Sequence, residues 1–142
     1  MRNMKVEELM TERPVVIGPD DSLQQAAEKM RETECGILPV GAHDKIEGVI
    51  TDRDIVVRAV AKGKDVAKEK VRDYMTAKVC GCKANDTVQV AADAMHKHKV
   101  SRLVVQDDDG GGMVGIITFG SILRKDRNPA EVNDVVARAT SR

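Results

Sequence analysis

The sequence predicts a mixed α/β fold of the α+β kind: two β-α-β-β-α repeats related by a pseudo-two-fold axis, followed by a C-terminal helix. Three observations carry this reading. Val6-Glu7-Glu8-Leu9-Met10-Thr11 returns as Val71-Arg72-Asp73-Tyr74-Met75-Thr76, and the same offset of 65 residues joins Asp21 to Asp86, Ala26-Ala27 to Ala91-Ala92, Met30 to Met95 and Leu38 to Leu103. From Gly48-Val49-Ile50-Thr51 to Gly115-Ile116-Ile117-Thr118 the offset is 67, so two residues are gained between Val105 and Gly115, at Asp107-Asp108-Asp109 and Gly110-Gly111-Gly112. Within each copy the apolar period alternates between that of a strand and that of a helix. A unit this short cannot bury its apolar face alone, so two copies pack together, and the cleft between them is the first place to look for function.

Each element has a local cause. A helical turn ends at Met10, and Val15-Val16-Ile17 reads as a buried strand after Pro14. Ser22 with Gln25 is a capping box, and Leu23, Ala26, Ala27 and Met30 share one face of the helix that follows. Ile37-Leu38-Pro39-Val40 and Ile46-Glu47-Gly48-Val49-Ile50 form two strands around the turn Gly41-Ala42-His43-Asp44-Lys45. A second helix starts at Thr51-Asp52-Arg53-Asp54, with Ile55, Val56, Val57, Ala59 and Val60 as its apolar side up to Gly63. The second copy repeats the order: a strand near Val79 to Cys82, a helix from Thr87, strands Leu103 to Val105 and Met113 to Ile117, and a helix from Thr118. Residues 1–63 are thus the first repeat, 64–70 a charged connector, 71–125 the second repeat and 126–142 a tail helix. Pro129 suits the first position of that helix, and Val132, Val135, Val136 and Ala139 line one face.

Composition excludes several classes. The 142 residues are 42% hydrophobic and 32% charged, and 23 basic side chains balance 23 acidic ones, so no global field draws the protein to nucleic acid or an anionic membrane. Tyr74 and Phe119 are the sole aromatics, which leaves no stacking platform for a single strand. No apolar run approaches a membrane span, and the start Met1-Arg2-Asn3-Met4-Lys5 has no signal-peptide core behind it, so a cytoplasmic location is expected. Cys35, Cys80 and Cys82 make no disulfide framework and fit a reducing compartment.

The richest stretch is Gly48 to Asp54. A strand runs out at Thr51 and a helix begins at once, setting free backbone N–H groups and the positive helix end beside a hydroxyl and two carboxylates. Asp54 can accept from a vicinal diol such as that of ribose, and Thr51 can serve a phosphate. The same residues also read as an ordinary N-cap with acids complementing the helix dipole. Ser101-Arg102 opens a buried strand, opposite Ile37 in the first copy; Arg102 is either a phosphate fork or a solvated strand-end charge.

Other patterns carry less. Gly110-Gly111-Gly112-Met113-Val114-Gly115 spells G-x-G-x-x-G but precedes a strand, so it is a hairpin. Cys80-x-Cys82 and His96-x-His98 have poor zinc spacing, and no metal is expected. Cys35 closes the first long helix as packing, and His43 sits in a turn. No nucleophile, base or carboxylate pair is assembled, so an enzyme is not expected.

Taken together, the leading strand after each Met-Thr, the Leu-Pro-Val and Leu-Val-Val strands, and the closing Gly-φ-φ-Thr-x-x-Asp or Ser (φ apolar) resemble a tandem pair of CBS domains, the regulatory modules named after cystathionine β-synthase, of the stand-alone bacterial or archaeal type. The resemblance runs from Val6 to about Arg124. It implies a Bateman-type sensor that binds an adenosyl nucleotide (the AMP, ADP, ATP, NAD or S-adenosylmethionine class) as a regulatory ligand, with no cofactor, and that pairs into a disc-like homodimer acting on an unidentified protein effector. It assigns ligand contacts to Val49, Ile50, Thr51, Arg53, Asp54, Cys80, Gly81, Ser101 and Arg102, with ribose on Asp54 and phosphate on Arg102. A weaker second site falls on Val15, Val16, Ile37, Pro39, Thr118, Phe119 and Ser121, where Ser121 replaces the acid and Ile37 the arginine. The small residues of the two long helices are expected to meet across the dimer axis, with the tail over the seam. The alternative is a ligand-free dimeric scaffold with a vestigial cleft.

Overall fold

The computed structural model describes residues 3–140; Met1, Arg2, Ser141 and Arg142, the outer ends of the first repeat and of the tail, lie outside the described residues. The chain runs α1 (Val6–Leu9), β1 (Thr11–Glu12), α2 (Leu23–Thr33), β2 (Ile37–Ala42), β3 (Lys45–Thr51), a π-helical turn (Asp54–Ala59) continued by a 3-10 turn (Val60–Lys62), a second 3-10 turn (Val71–Asp73), β4 (Gly81–Lys83), α3 (Val88–His98), β5 (Arg102–Gln106), β6 (Met113–Thr118), α4 (Phe119–Lys125) and α5 (Pro129–Thr140). The mixed α/β class and the C-terminal helix are as the sequence predicts. Two compact units form, Pro14–Val79 and Met1–Arg13 with Cys80–Arg142. The first holds the hairpin β2-β3, the second a sheet ordered β1-β6-β5-β4.

These units cut across the repeats, because each repeat's leading segment packs on the other's core. In one unit Val6 N–H donates to Asp86 O and Val88 N–H to Met4 O; in the other, at the same offset, Val71 N–H donates to Asp21 O and Leu23 N–H to Glu69 O. The connector 64–70 is therefore fastened to the first repeat's helix start: Gln24 N–H also reaches Val66 O. The Met-Thr pairs that end the leaders lie against glycines. Thr76 exchanges both backbone hydrogen bonds with Val49 beside Gly48, and Thr11 and Glu12 pair with Ile116 and Gly115.

The helices keep their sequence-readable caps. Ser22 and Gln25 form the reciprocal capping box, Thr87 accepts from Val90 N–H, and Glu34 and Lys99 close α2 and α3 in the left-handed region at φ 53° and 56°. Leu23, Ala26 and Met30 enter one core, and Val88, Ala91, Ala92 and Met95 the other.

Four expectations change. The strand over Val15–Ile17 shrinks to a single parallel bridge, Ile17 to Val40. Its counterpart β4 is held in part by Val104 N–H donating to Cys80 O; the residue matching Val104 is Pro39, which has no N–H to give, and Val15 is left exposed. The strand near Val79 to Cys82 begins only at Gly81. The helix after Thr51 turns only Ile55 and Ala59 inward, so Val56, Val57 and Val60 do not form its core side but lie 57%, 45% and 56% exposed. Arg58 on the same turn donates to the Tyr74 carbonyl and lies over its ring, which ties the helix to the leader of the second repeat.

The fourth correction concerns assembly. Ala91, Ala92 and Met95, expected at a dimer axis, are buried in their own unit, as are Ala26 and Met30; Ala27 alone of the set is exposed. The tail helix α5 packs on α3 of the same chain, with Val135 wholly buried. It caps the core of that unit.

Candidate functional site

At the end of β3, Thr51 and Asp54 bind each other: Thr51 N–H donates to Asp54 Oδ2 at 3.0 Å and Asp54 N–H to Thr51 Oγ1 at 3.1 Å. Thr118 and Ser121 repeat this at the end of β6, with Thr118 N–H to Ser121 Oγ at 3.1 Å and Ser121 N–H to Thr118 Oγ1 at 2.9 Å. The strand-to-helix junctions are also matched in backbone, since Asp52 N–H donates to Gly36 O and Phe119 N–H to Ser101 O. Both junctions are reciprocal capping boxes, as the capping reading of these residues expects. The pairs differ in what is left over. Ser121 spends its hydroxyl hydrogen on Thr118 O at 2.8 Å, whereas half-buried Asp54 keeps a second carboxylate oxygen, Oδ1, that accepts no hydrogen bond among the described residues. A spare carboxyl oxygen at a helix start is therefore present in one repeat and absent in the other.

The remaining assigned residues divide between the units. Val15, Val16, Ile37, Pro39, Val49, Ile50, Thr51, Arg53 and Asp54 lie in the first, and Cys80, Gly81, Ser101, Arg102, Thr118, Phe119 and Ser121 in the second. Within the first, Ile37 faces Thr51 across the hairpin. Ile37, Pro39 and Ile50 are buried, and the Ile50 side chain belongs to the core of that unit. Arg53 is exposed and its N–H donates to Asp52 Oδ1. Within the second, half-buried Arg102 pairs in register with Thr118, and Gly81 lies beside Val104. That unit gathers Ser101, Arg102, Thr118, Phe119 and Ser121 at one end of β5 and β6, next to a cavity of about 120 Å³ lined by Met95, Val100, Ser101, Phe119, Ala139 and Thr140.

The thiols are quiet. Burial pushes the Cys82 thiol up to about 12, so it stays protonated in the core. Cys35 donates weakly to Ile37 O. Among the described residues no three His, Cys, Asp or Glu side chains are grouped to hold a metal, and no described helix is long and apolar enough to cross a membrane.

One polar cluster escapes sequence inspection. Glu131 and Asp126 are 4% and 7% exposed, buried with Gln89. A glutamate in the first turn after Pro129 reads as a routine dipole partner, and only the packing of α5 on α3 puts it inside.

Two repeats, each ending in a strand, a threonine cap and a helix, define a paired-repeat fold. The CBS domain family model matches residues 6–60 and 71–128. The chain belongs to the CBS domain family. It is 29% identical over 117 residues to the CBS domain-containing protein YhcV of Bacillus subtilis, covering 82% of this chain and 81% of that protein. It is 31% identical over 118 residues to hypoxic response protein 1 of Mycobacterium tuberculosis, with the same coverage of 82% and 81%. Among solved structures it is similar to CBSX2 in complex with AMP, with a TM-score of 0.68 and 28% identity over 84% of this chain and 93% of that one.

Proposed function

We propose that the protein is a regulatory sensor of an adenosyl nucleotide, holding the ligand's ribose at Asp54 and its phosphate at Arg102. The observation that carries this is the spare carboxylate oxygen of Asp54 beside the Thr51 cap, together with likeness to a CBS pair that binds AMP. Thr51 Oγ1 accepts from the helix, which leaves its own hydrogen as a donor for phosphate. Ligand binding that favours one arrangement of the repeats would shift the population seen by an effector. The self-satisfied cap at Thr118 and Ser121 supports one strong site per chain.

The capping role changes how Asp54 is tested. Asp54→Ala removes an acceptor for Thr51 N–H and so costs about 0.5–2 kcal/mol of stability as well as any binding. Asp54→Ser copies the Thr118/Ser121 junction instead. It is expected to melt near the parent while losing about 1.5–3 kcal/mol of AMP affinity, roughly 10- to 150-fold. Calorimetry showing parental affinity in folded Asp54→Ser removes the ribose assignment, and a parent that binds no adenosyl nucleotide favours the scaffold reading.

Arg102 is expected to recognise phosphate alone. Arg102→Ala should weaken AMP by about 1.5–3 kcal/mol and leave adenosine nearly unchanged. Equal losses for both ligands contradict that role.

A homodimer is proposed through the helices that follow β3 and β6. Val56 and Val60 are exposed on one, and Leu123, which matches Val56 at the 67-residue offset, is 39% exposed on the other. Light scattering should give about twice the 15.5 kDa chain mass for the parent, and the chain mass for a Val56→Asp, Val60→Asp double variant. A double variant that remains dimeric places the interface elsewhere.

A further inference from the structure

The Glu131 carboxylate draws three parts of one unit together. Met4 N–H donates to Oε1 at 3.1 Å and to Oε2 at 3.2 Å, and Gln89 Nε2 on α3 donates to Oε2 at 2.9 Å. Asp126, in the turn between α4 and α5, lies against the same carboxylate. Its Oδ1 accepts from Asn128 N–H at 3.0 Å, while its Oδ2 and the Oε1 of Gln89 are buried and have no hydrogen-bond partner among the described residues. Two turns further along, Arg138 binds Asp93 of α3 and Asp134 of α5, each at 3.0 Å, so that cation is already engaged. Two acids buried in contact, one with an oxygen that finds no donor among the described residues, suit a carboxyl donating to a carboxylate. A metal ion fits poorly, because both Glu131 oxygens already take N–H donors that a cation would repel.

We infer that a proton on Glu131, donated to Asp126 Oδ2, latches α5 and the chain's opening segment onto α3, so that the tail is a clamp released as pH rises. Burial, and then the hydrogen bond with Asp126, hold the Glu131 carboxyl above its ordinary value of 4.5 against the Gln89 and Met4 donors. The sign follows. A carboxyl held high in the folded state contributes stability that is fully present below 4.5 and is lost as pH climbs from there through its folded value. Loss of the proton leaves two buried negative charges facing each other. The end of α5, through Ala139 and Thr140, also forms part of the wall of the 120 Å³ cavity, so release of the clamp removes that wall.

Amide hydrogen exchange on the full chain between pH 5 and pH 8, corrected for intrinsic rates, tests this. The opening of α5, measured against α2 in the same molecule, is expected to rise by up to about tenfold per pH unit over the window in which the proton leaves. In Glu131→Gln the amide N–H replaces the carboxyl proton towards Asp126 and its carbonyl still accepts from Met4, so α5 should remain protected without pH dependence. Asp126→Asn supplies a donor from the other side and should do the same. A parent whose α5 protection is flat or increases with pH, or variants that both keep the parental pH profile, overturns the latch. Restoration of α5 protection at pH 8 by magnesium or calcium chloride overturns it in favour of a cation site.

Discussion

A chain ending at Asn128 is expected to lose about 1.5–3 kcal/mol from the unit that contains α3, and to lose it without affecting the other unit directly. Val135 is wholly buried on α3, and uncovering one such side chain accounts for about 1.5–3 kcal/mol. Glu131 also leaves, and with it the hydrogen bonds from Met4 and Gln89. Those donors then face water, so their loss adds little more. Hydrogen exchange separates the units: protection should fall in α3, β5 and the Met4 segment, while α2 and the β2-β3 hairpin keep theirs. A truncated chain with parental protection in α3 but altered mass in light scattering returns the tail to an intersubunit role.

The second large effect is expected at Gly48. A Cβ there would stand 2.6 Å from the Thr76 carbonyl oxygen and 3.1 Å from Met75 Sδ. The carbonyl cannot yield, because Thr76 and Val49 exchange hydrogen bonds at 2.8 and 3.0 Å in that register. Gly48→Ala should therefore destabilise its unit by about 1–3 kcal/mol, as overpacking does, and loosen the exchanged leader first. Gly115→Ala should mirror it, since its Cβ would meet Met10 Sδ at 2.5 Å and Thr11 O at 2.8 Å. Gly120 is the control. Its Cβ would come near only the flexible tip of Arg124, and alanine inside α4 should be neutral or stabilising by up to about 1 kcal/mol. Chemical denaturation curves in which Gly48→Ala and Gly120→Ala behave alike would remove the close-approach argument.

Much of the local order could be read from residue patterns because its causes are local. Ser22 and Gln25, Thr87, the Pro129 start and the Asp107 to Gly112 hairpin each depend on neighbours within a few positions. The duplication made the second half a check on the first, and both strand-end threonines were found at helix starts. Asp54 and Ser121 were legible as a pair for the same reason, though not the fact that both serve as caps.

The errors share a cause in non-local partners. Pro39 weakens the strand at Val15 because a donor is missing on the neighbouring segment. Val56, Val57 and Val60 look like a core face, but the π-helical turn and the packing of Ile55 and Ala59 leave them outside. In the sequence the glycines before the Thr caps serve only to mark the repeat, whereas their reason is a carbonyl from a leader 28 residues further on in one case, Gly48 to Thr76, and from the chain's own opening in the other. By itself the sequence determined the repeat, most of the element types and the places where strands pass into helices, since propensity, periodicity and capping act over a turn or two. Tertiary structure alone decided that the leaders are exchanged, that α5 belongs to α3, and that Glu131 and Asp126 are buried together. Those outcomes depend on which distant surfaces exclude water from one another, and no window of neighbouring residues contains that information.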